Sequence, residues 1–127
     1  DSRNVCPTGW HVPSDDEWTN LTTYLGGEDV AGGKMKSTGL AYWSSPNTAA
    51  TNESGFTAHP GGFRRGSAGF GNFGVFNEMG TTAMWWSSTQ NNIPSLVWDR
   101  YLYFSNGTIF RFTSGLKDGL SIRCVKD

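Results

Sequence analysis

The chain is poor in most of the features that announce an activity. Ten Lys and Arg against eleven Asp and Glu give a formal net charge of −1 and a pI near 6.1, so there is no basic field of the kind nucleic acid binding requires. Nucleic acid is not an expected partner. No apolar run approaches the ~20 residues of a membrane span, and this domain is not expected to insert into a bilayer. Asp1 rather than Met opens the sequence, and any export signal is expected to lie outside these residues. His11 and His59 are the two histidines. A three-ligand zinc site would need carboxylate help from elsewhere, and each is read as a packing or surface residue. No serine sits in a G-x-S-x-G elbow. Neither a metal nor a cofactor is expected.

Cysteine is nearly absent too, and the two present stand almost at the ends, Cys6 and Cys124. They have no metal-ligand spacing and no C-x-x-C geometry, so they are expected to pair and staple the first strand to the last. The alternatives are two buried thiols, or one catalytic cysteine. A pair would make residues 1–127 one closed, exported domain. What the chain has in abundance is glycine (17 residues) and aromatics (six Trp, four Tyr, eight Phe), with charged residues at only 17%. That composition describes a loop-rich domain with an aromatic core and few helices.

Ser14-Asp15-Asp16-Glu17 is an S-x-x-E capping box with acidic residues in the first turn. Trp18, Leu21, Tyr24 and Leu25 then mark one apolar helix face, and Gly26-Gly27 ends it. A weaker helix is expected from Glu28 to Lys36, although Gly32-Gly33 inside it costs roughly 1 kcal/mol per glycine. Residues 39–80 read as long loop with short strands, held by aromatics plugged into the core. The last third is strand-rich. Met84–Thr89, Leu96–Phe104 and Thr108–Thr113 are strands, the last two joined through Ser105-Asn106-Gly107, a hairpin signal. Leu120–Val125 is the closing strand, beside a first strand within Val5–Val12. The fold class is α+β.

Gly69-Phe70-Gly71-Asn72-Phe73-Gly74 matches G-x-G-x-x-G, but no apolar strand precedes it and no helix follows, so it reads as a structural loop. Glu53, Glu78 and Asp99 are left unexplained by helix caps or exposed positions; each is a ligand contact, part of a calcium site or a solvated loop residue. Alternation along Leu96–Phe104 separates Trp98, Arg100, Leu102 and Phe104 from Val97, Asp99, Tyr101 and Tyr103. With the first set in the core, Tyr101, Tyr103 and Phe112 form an exposed aromatic patch of the kind that marks interaction sites. Neighbouring Asn91, Asn92, Ser105, Thr113 and Ser114 give it the composition of antibody binding loops.

Several stretches, in order, resemble one family. They are Cys6-Pro7-Thr8-Gly9-Trp10-His11-Val12-Pro13-Ser14-Asp15-Asp16-Glu17-Trp18, Gly33-Lys34-Met35-Lys36, Asn52-Glu53-Ser54-Gly55-Phe56, Pro60-Gly61-Gly62-Phe63-Arg64, Trp85-Trp86-Ser87-Ser88-Thr89 and Ser121-Ile122-Arg123-Cys124-Val125. The family is the Fibrobacter succinogenes major paralogous domain, similar to C-type lectin-like folds, to formylglycine-generating enzymes and to variable proteins of diversity-generating retroelements. The resemblance implies two helices flanking a twisted antiparallel sheet, long irregular loops, adjacent termini and a ligand face on the late hairpin. It places variable positions at Asp99, Tyr101, Tyr103, Ser105, Phe112, Thr113, Ser114 and Lys117, with Gln90, Asn91 and Asn92 nearby, and scaffold at Trp98, Arg100, Leu102 and Arg111. The calcium-binding triplets of sugar-binding lectins are missing, and both cysteines fall in end motifs rather than in a reactive site. The expected function is non-catalytic binding of a protein or glycan by an exported or surface domain. A structural or assembly module of a bacterial surface or pilus protein is the alternative, and an enzyme of the formylglycine-generating type a remote third. Oligomeric state is left open.

Overall fold

Ser14 starts the first helix as the capping box requires: its hydroxyl accepts from the Glu17 amide, and its own amide donates to the Glu17 carboxylate at 2.8 Å. The computed structural model describes residues 5–66 and 74–127. Helix α1 (Asp15–Tyr24) buries Asp15, Trp18 and Thr22, continued by Leu25. Tyr24, expected on that face, is 87% exposed. Residue 22, one turn on from Trp18, takes the inward position instead, and its hydroxyl returns to the Trp18 carbonyl at 2.8 Å. Helix α2 (Glu28–Met35) follows the Gly26-Gly27 stop. Its glycines cost helix propensity but permit close packing. A Cβ on Gly32 would lie 2.4 Å from the Thr108 carbonyl oxygen, and one on Gly33 2.4 Å from that of Ala49.

Among the described residues seven strands accompany the helices: β1 (Trp10–His11), β2 (Phe63–Arg64), β3 (Phe76–Asn77), β4 (Thr82–Gln90), β5 (Leu96–Tyr103), β6 (Ile109–Gly115) and β7 (Val125–Lys126). The last three long ones form an antiparallel sheet in the order β4-β5-β6, while β1 pairs with β7 and β2 with β3. The architecture is α+β. Both end strands are shorter than expected. Ser121 makes only a single bridge to Trp85, so the closing strand does not begin at Leu120. The termini still meet, with Trp10 opposite Lys126, and Cys6 and Cys124 form a disulfide with a Cα–Cα distance of 5.8 Å. Neither cysteine remains a free thiol. His11 adds a polar clasp between Asp127 at 2.6 Å and Glu17 at 2.9 Å; these hydrogen bonds raise its pKa, Asp127 most.

The core gathers Trp18, Met35, Trp43, Trp85, Leu102 and Ile109. Of the loop aromatics, Trp43 and Phe56 plug into it, Trp43 donating its indole N–H to the Ala58 carbonyl at 2.9 Å. Phe56 meets the Trp85 ring edge-on at 5.4 Å. Tyr42 and Phe76 stay outside, at 62% and 70% exposure. A second anchor of the loop is Lys36, fully buried. Its ammonium donates to the carbonyls of Thr48, Tyr103 and Asn106 at 2.8, 3.2 and 2.9 Å. Burial lowers its pKa to about 8, which leaves it charged at neutral pH, and only the ammonium has three N–H donors for three carbonyls.

Helix α1 is held to the sheet by ions as well as by rings. Asp15 takes Arg100 Nη1 at 2.7 Å through one carboxylate oxygen and Arg111 Nη2 at 2.7 Å through the other. Arg100 also reaches the Asp15 carbonyl and the Thr19 hydroxyl, and Arg111 lies 3.4 Å from the Trp98 ring centroid. Asp15, read from sequence as a helix-capping carboxylate, is thus a tertiary anchor. Burial alone would raise its pKa, but the hydrogen bonds and charges of Arg111 and Arg100 outweigh it and hold the carboxyl below its ordinary value.

Three outcomes follow for stability. Reduction of a disulfide with a sequence separation of 118 is expected to lower the unfolding free energy by up to about 5 kcal/mol in the chain-entropy model, read from denaturant melts with and without reductant. Lys36→Met, which keeps bulk but leaves three carbonyls without their donor, should cost roughly 3 kcal/mol or more in the same melts. Because the folded-state pKa of Asp15 is depressed, its contribution is present above the unfolded value and lost as pH falls through the folded one. Thermal melts of the wild type should therefore lose stability below about pH 4, and Asp15→Asn should start lower and show a flatter acid limb.

Candidate functional site

Antiparallel register decides which side chains share a face of the sheet. Tyr101 lies opposite Met84 on one side and Phe110 on the other, Tyr103 opposite Thr82, Asp99 between Trp86 and Phe112, and Val97 opposite Ser114. The reverse face carries Ala83, Trp85, Arg100, Leu102 and Ile109, all buried. One face therefore belongs to the core and α1, and the other faces the loops that carry β2 and β3.

A cleft of about 390 Å³ opens between that face and those loops. Tyr101, Tyr103, Phe110 and Phe112 form its aromatic wall, Thr82 and Met84 belong to the adjoining strand, and Phe63, Arg65 and Glu78 come from the covering loops. The Tyr101 and Phe110 rings stack at 4.6 Å and 12°, and Phe112 meets Tyr101 edge-on at 6.5 Å. Phe112 is 63% exposed. Glu78 is held by the Thr82 hydroxyl. The Arg65 guanidinium sits 4.7 Å from the Phe63 ring centroid and 3.9 Å from the Asp118 carboxylate. Burial, and then the negative charges of Asp99 and Glu78, push the Tyr101 phenol above its ordinary pKa.

The residues singled out from sequence do not all meet here. Tyr101, Tyr103, Phe112, Thr113 and Ser114 border the cleft, although Thr113 is opposite Trp98 and so occupies a position of the reverse face. Asp99 belongs to the right face but is fully buried; it is not the surface group expected to orient a ligand. Ser114 donates to one of its carboxylate oxygens at 2.7 Å, and the other has no hydrogen-bond partner among the described residues. Burial raises its pKa, against the Ser114 hydrogen bond and the charge of Arg100. In the turn after β6, Asp118 accepts from the amides of Gly66 at 2.7 Å and Gly115 at 3.0 Å. Asp118 is thus a loop clasp. Lys117 lies in that turn and Ser105 in the hairpin loop, both exposed and outside the cleft lining.

Gln90, Asn91 and Asn92 are farther along β4 and its turn. The Gln90 amide bonds the Pro94 carbonyl, and Asn91 accepts from the Ile93 amide at 3.2 Å. Gln90 borders a second, open cavity of about 1020 Å³ together with His11, Trp86 and Leu116. The lining residues that sequence reasoning missed are Phe63, Arg65, Thr82, Met84, Asn106 and Phe110, whereas Glu78 had been singled out as a candidate ligand contact. Alternation of Phe110 with Phe112 was a usable signal. The loop residues offered none. Glu53 makes a surface ion pair with Lys34 at 3.8 Å. Among the described residues no group of three or more His, Cys, Asp or Glu is placed to hold a metal. The G-x-G-x-x-G stretch lies outside the described residues except for Gly74, whose amide donates to the Arg65 carbonyl at 2.9 Å.

Comparison with known families assigns the chain. The model of the Fibrobacter succinogenes major domain matches residues 1–126, and the chain belongs to that family. No curated protein matches, and no solved structure does. Among the described residues no helix is long and apolar enough to cross a membrane.

Proposed function

We propose that this domain is a non-catalytic ligand-binding module of an exported or surface-displayed bacterial protein, and that it recognises a protein or a glycan through the cleft on the outer face of its late hairpin. The carrying observation is the cleft itself, whose aromatic wall includes Phe112 at 63% exposure. A concave apolar surface with a few placed polar groups is the usual form of a binding site. Tyrosine and phenylalanine supply contact area there at little conformational cost, and a rigid sheet holds them in place. Export fits the disulfide Cys6–Cys124, since such bonds persist in oxidising compartments.

The same reading takes the fold as C-type lectin-like and the cleft residues as the positions at which retroelement-linked variable proteins differ from one another. Supporting it, Tyr101, Tyr103 and Phe112 take no part in the Asp15 ion pairs or in the disulfide. Thiol chemistry of the formylglycine-generating type has no free cysteine to use.

The test compares the wild type with Phe112→Ala and Tyr101→Ala across an array of glycans and bacterial or host surface proteins. Ligands retained by the wild type should bind each variant at least tenfold more weakly, while Phe112→Ala leaves the melting temperature within about 3 °C. A variant that keeps every ligand at wild-type affinity would sink the assignment of the cleft.

A further inference from the structure

We infer that the group this cleft accepts is an organic cation, an alkylammonium or guanidinium such as the end of a lysine or arginine side chain on a protein ligand. The inference rests on the cleft being the recognition site and adds its chemistry. It starts from what the lining has left to offer. The hydroxyls of Thr82 and Ser114 already donate to the carboxylates of Glu78 and Asp99. Those two donors are unavailable to an anion or to the many hydroxyls of a sugar. Glu78 keeps a second carboxylate oxygen with no protein partner among the described residues. What remains is a wall of four aromatic rings, the Glu78 carboxylate and a few polar groups at Tyr101, Tyr103, Asn106 and Thr113.

The rings and the carboxylate both attract cations. The face of an aromatic ring carries the negative part of its quadrupole, and a desolvated cation within about 6 Å of the centroid gains on the order of 2 kcal/mol. The cleft already shows this contact once, in Arg65 stacked on Phe63 at 4.7 Å. Arg65 is the one cationic side chain of the lining and leans toward Asp118. Its charge is taken up by the Asp118 carboxylate and the Phe63 ring, whereas Glu78 has no ion-pair partner among the described residues. A ligand ammonium between the Tyr101 and Tyr103 rings and Glu78 would meet attraction from each side. A carboxylate placed there would meet like charge.

Choline, its neutral isostere 3,3-dimethylbutan-1-ol, and acetate separate the possibilities when each is titrated into the intact domain and the ring resonances of Tyr101, Phe110 and Phe112 are followed by NMR. Choline should shift those rings at millimolar concentrations and bind about tenfold more tightly than the alcohol. Glu78→Gln should weaken choline about threefold and leave the alcohol unchanged. Phe112→Leu, which keeps an apolar side chain at an exposed position, should also weaken choline selectively, and it serves if the Glu78 variant folds poorly. Equal affinity for choline and the alcohol, a preference for acetate, or no ring shift with choline at tens of millimolar would each overturn the cation assignment. If partner binding still falls on Phe112→Ala, the cleft stands as the site with a different ligand chemistry; if it does not, the site assignment falls as well.

Discussion

The carboxylate of Asp15 determines how the first helix and the late hairpin meet. It is buried between Arg100 and Arg111, which face each other across β5 and β6. Two like charges directly opposed in a sheet repel, so this pair is tenable only with an anion set between them. Buried ion groups seldom add much net stability, because desolvation offsets the attraction. Their effect here is on arrangement. A shift of one residue in the pairing would carry every side chain to the other face, moving Arg100 away from the helix and leaving Asp15 buried and unpaired. The ion triad therefore fixes register, and with it which face carries Tyr101, Tyr103 and Phe112.

Elsewhere the frame is tied through main chain. Lys36 holds three carbonyls, of Thr48, Tyr103 and Asn106, and a carbonyl is present whatever side chain stands at its residue. Gly32 and Gly33 let α2 approach the backbone at Thr108 and Ala49. The disulfide and the β1–β7 pair close the two ends on each other. Such ties constrain the path of the long loop without prescribing its sequence, which is how a chain with so much irregular structure keeps one conformation.

What could be read from the sequence follows the range of the interactions. The cap at Ser14, the stop at Gly26-Gly27, the β5–β6 hairpin and the alternation along β5 depend on neighbours in sequence, and they stand where the pattern placed them. Tyr24 was misplaced because a short helix leaves the choice of inward residue to packing, and Thr22 fits beneath the sheet. The remaining errors are long-range. Nothing near Asp118 in sequence shows that its carboxylate binds the amide of Gly66. Phe63 and Arg65 reach the cleft from a loop whose return onto the sheet is set over long range, so their place in the lining has no local signature.

Site and frame thus interleave along β5 residue by residue: Arg100 and Leu102 turn inward, Tyr101 and Tyr103 outward. Outward side chains share few partners with inward ones, and changes at sites without shared partners combine nearly additively. Substitution at Tyr101, Tyr103 or Phe112 can therefore reshape the cleft without loosening the ion triad beneath. Ser114 is different. It borders the cleft, yet its hydroxyl makes the one hydrogen bond to the Asp99 carboxyl among the described residues, and removing it would cost a buried acid that bond. The boundary between positions free to vary and positions bound to the fold therefore runs through the cleft itself, between Phe112 and Ser114.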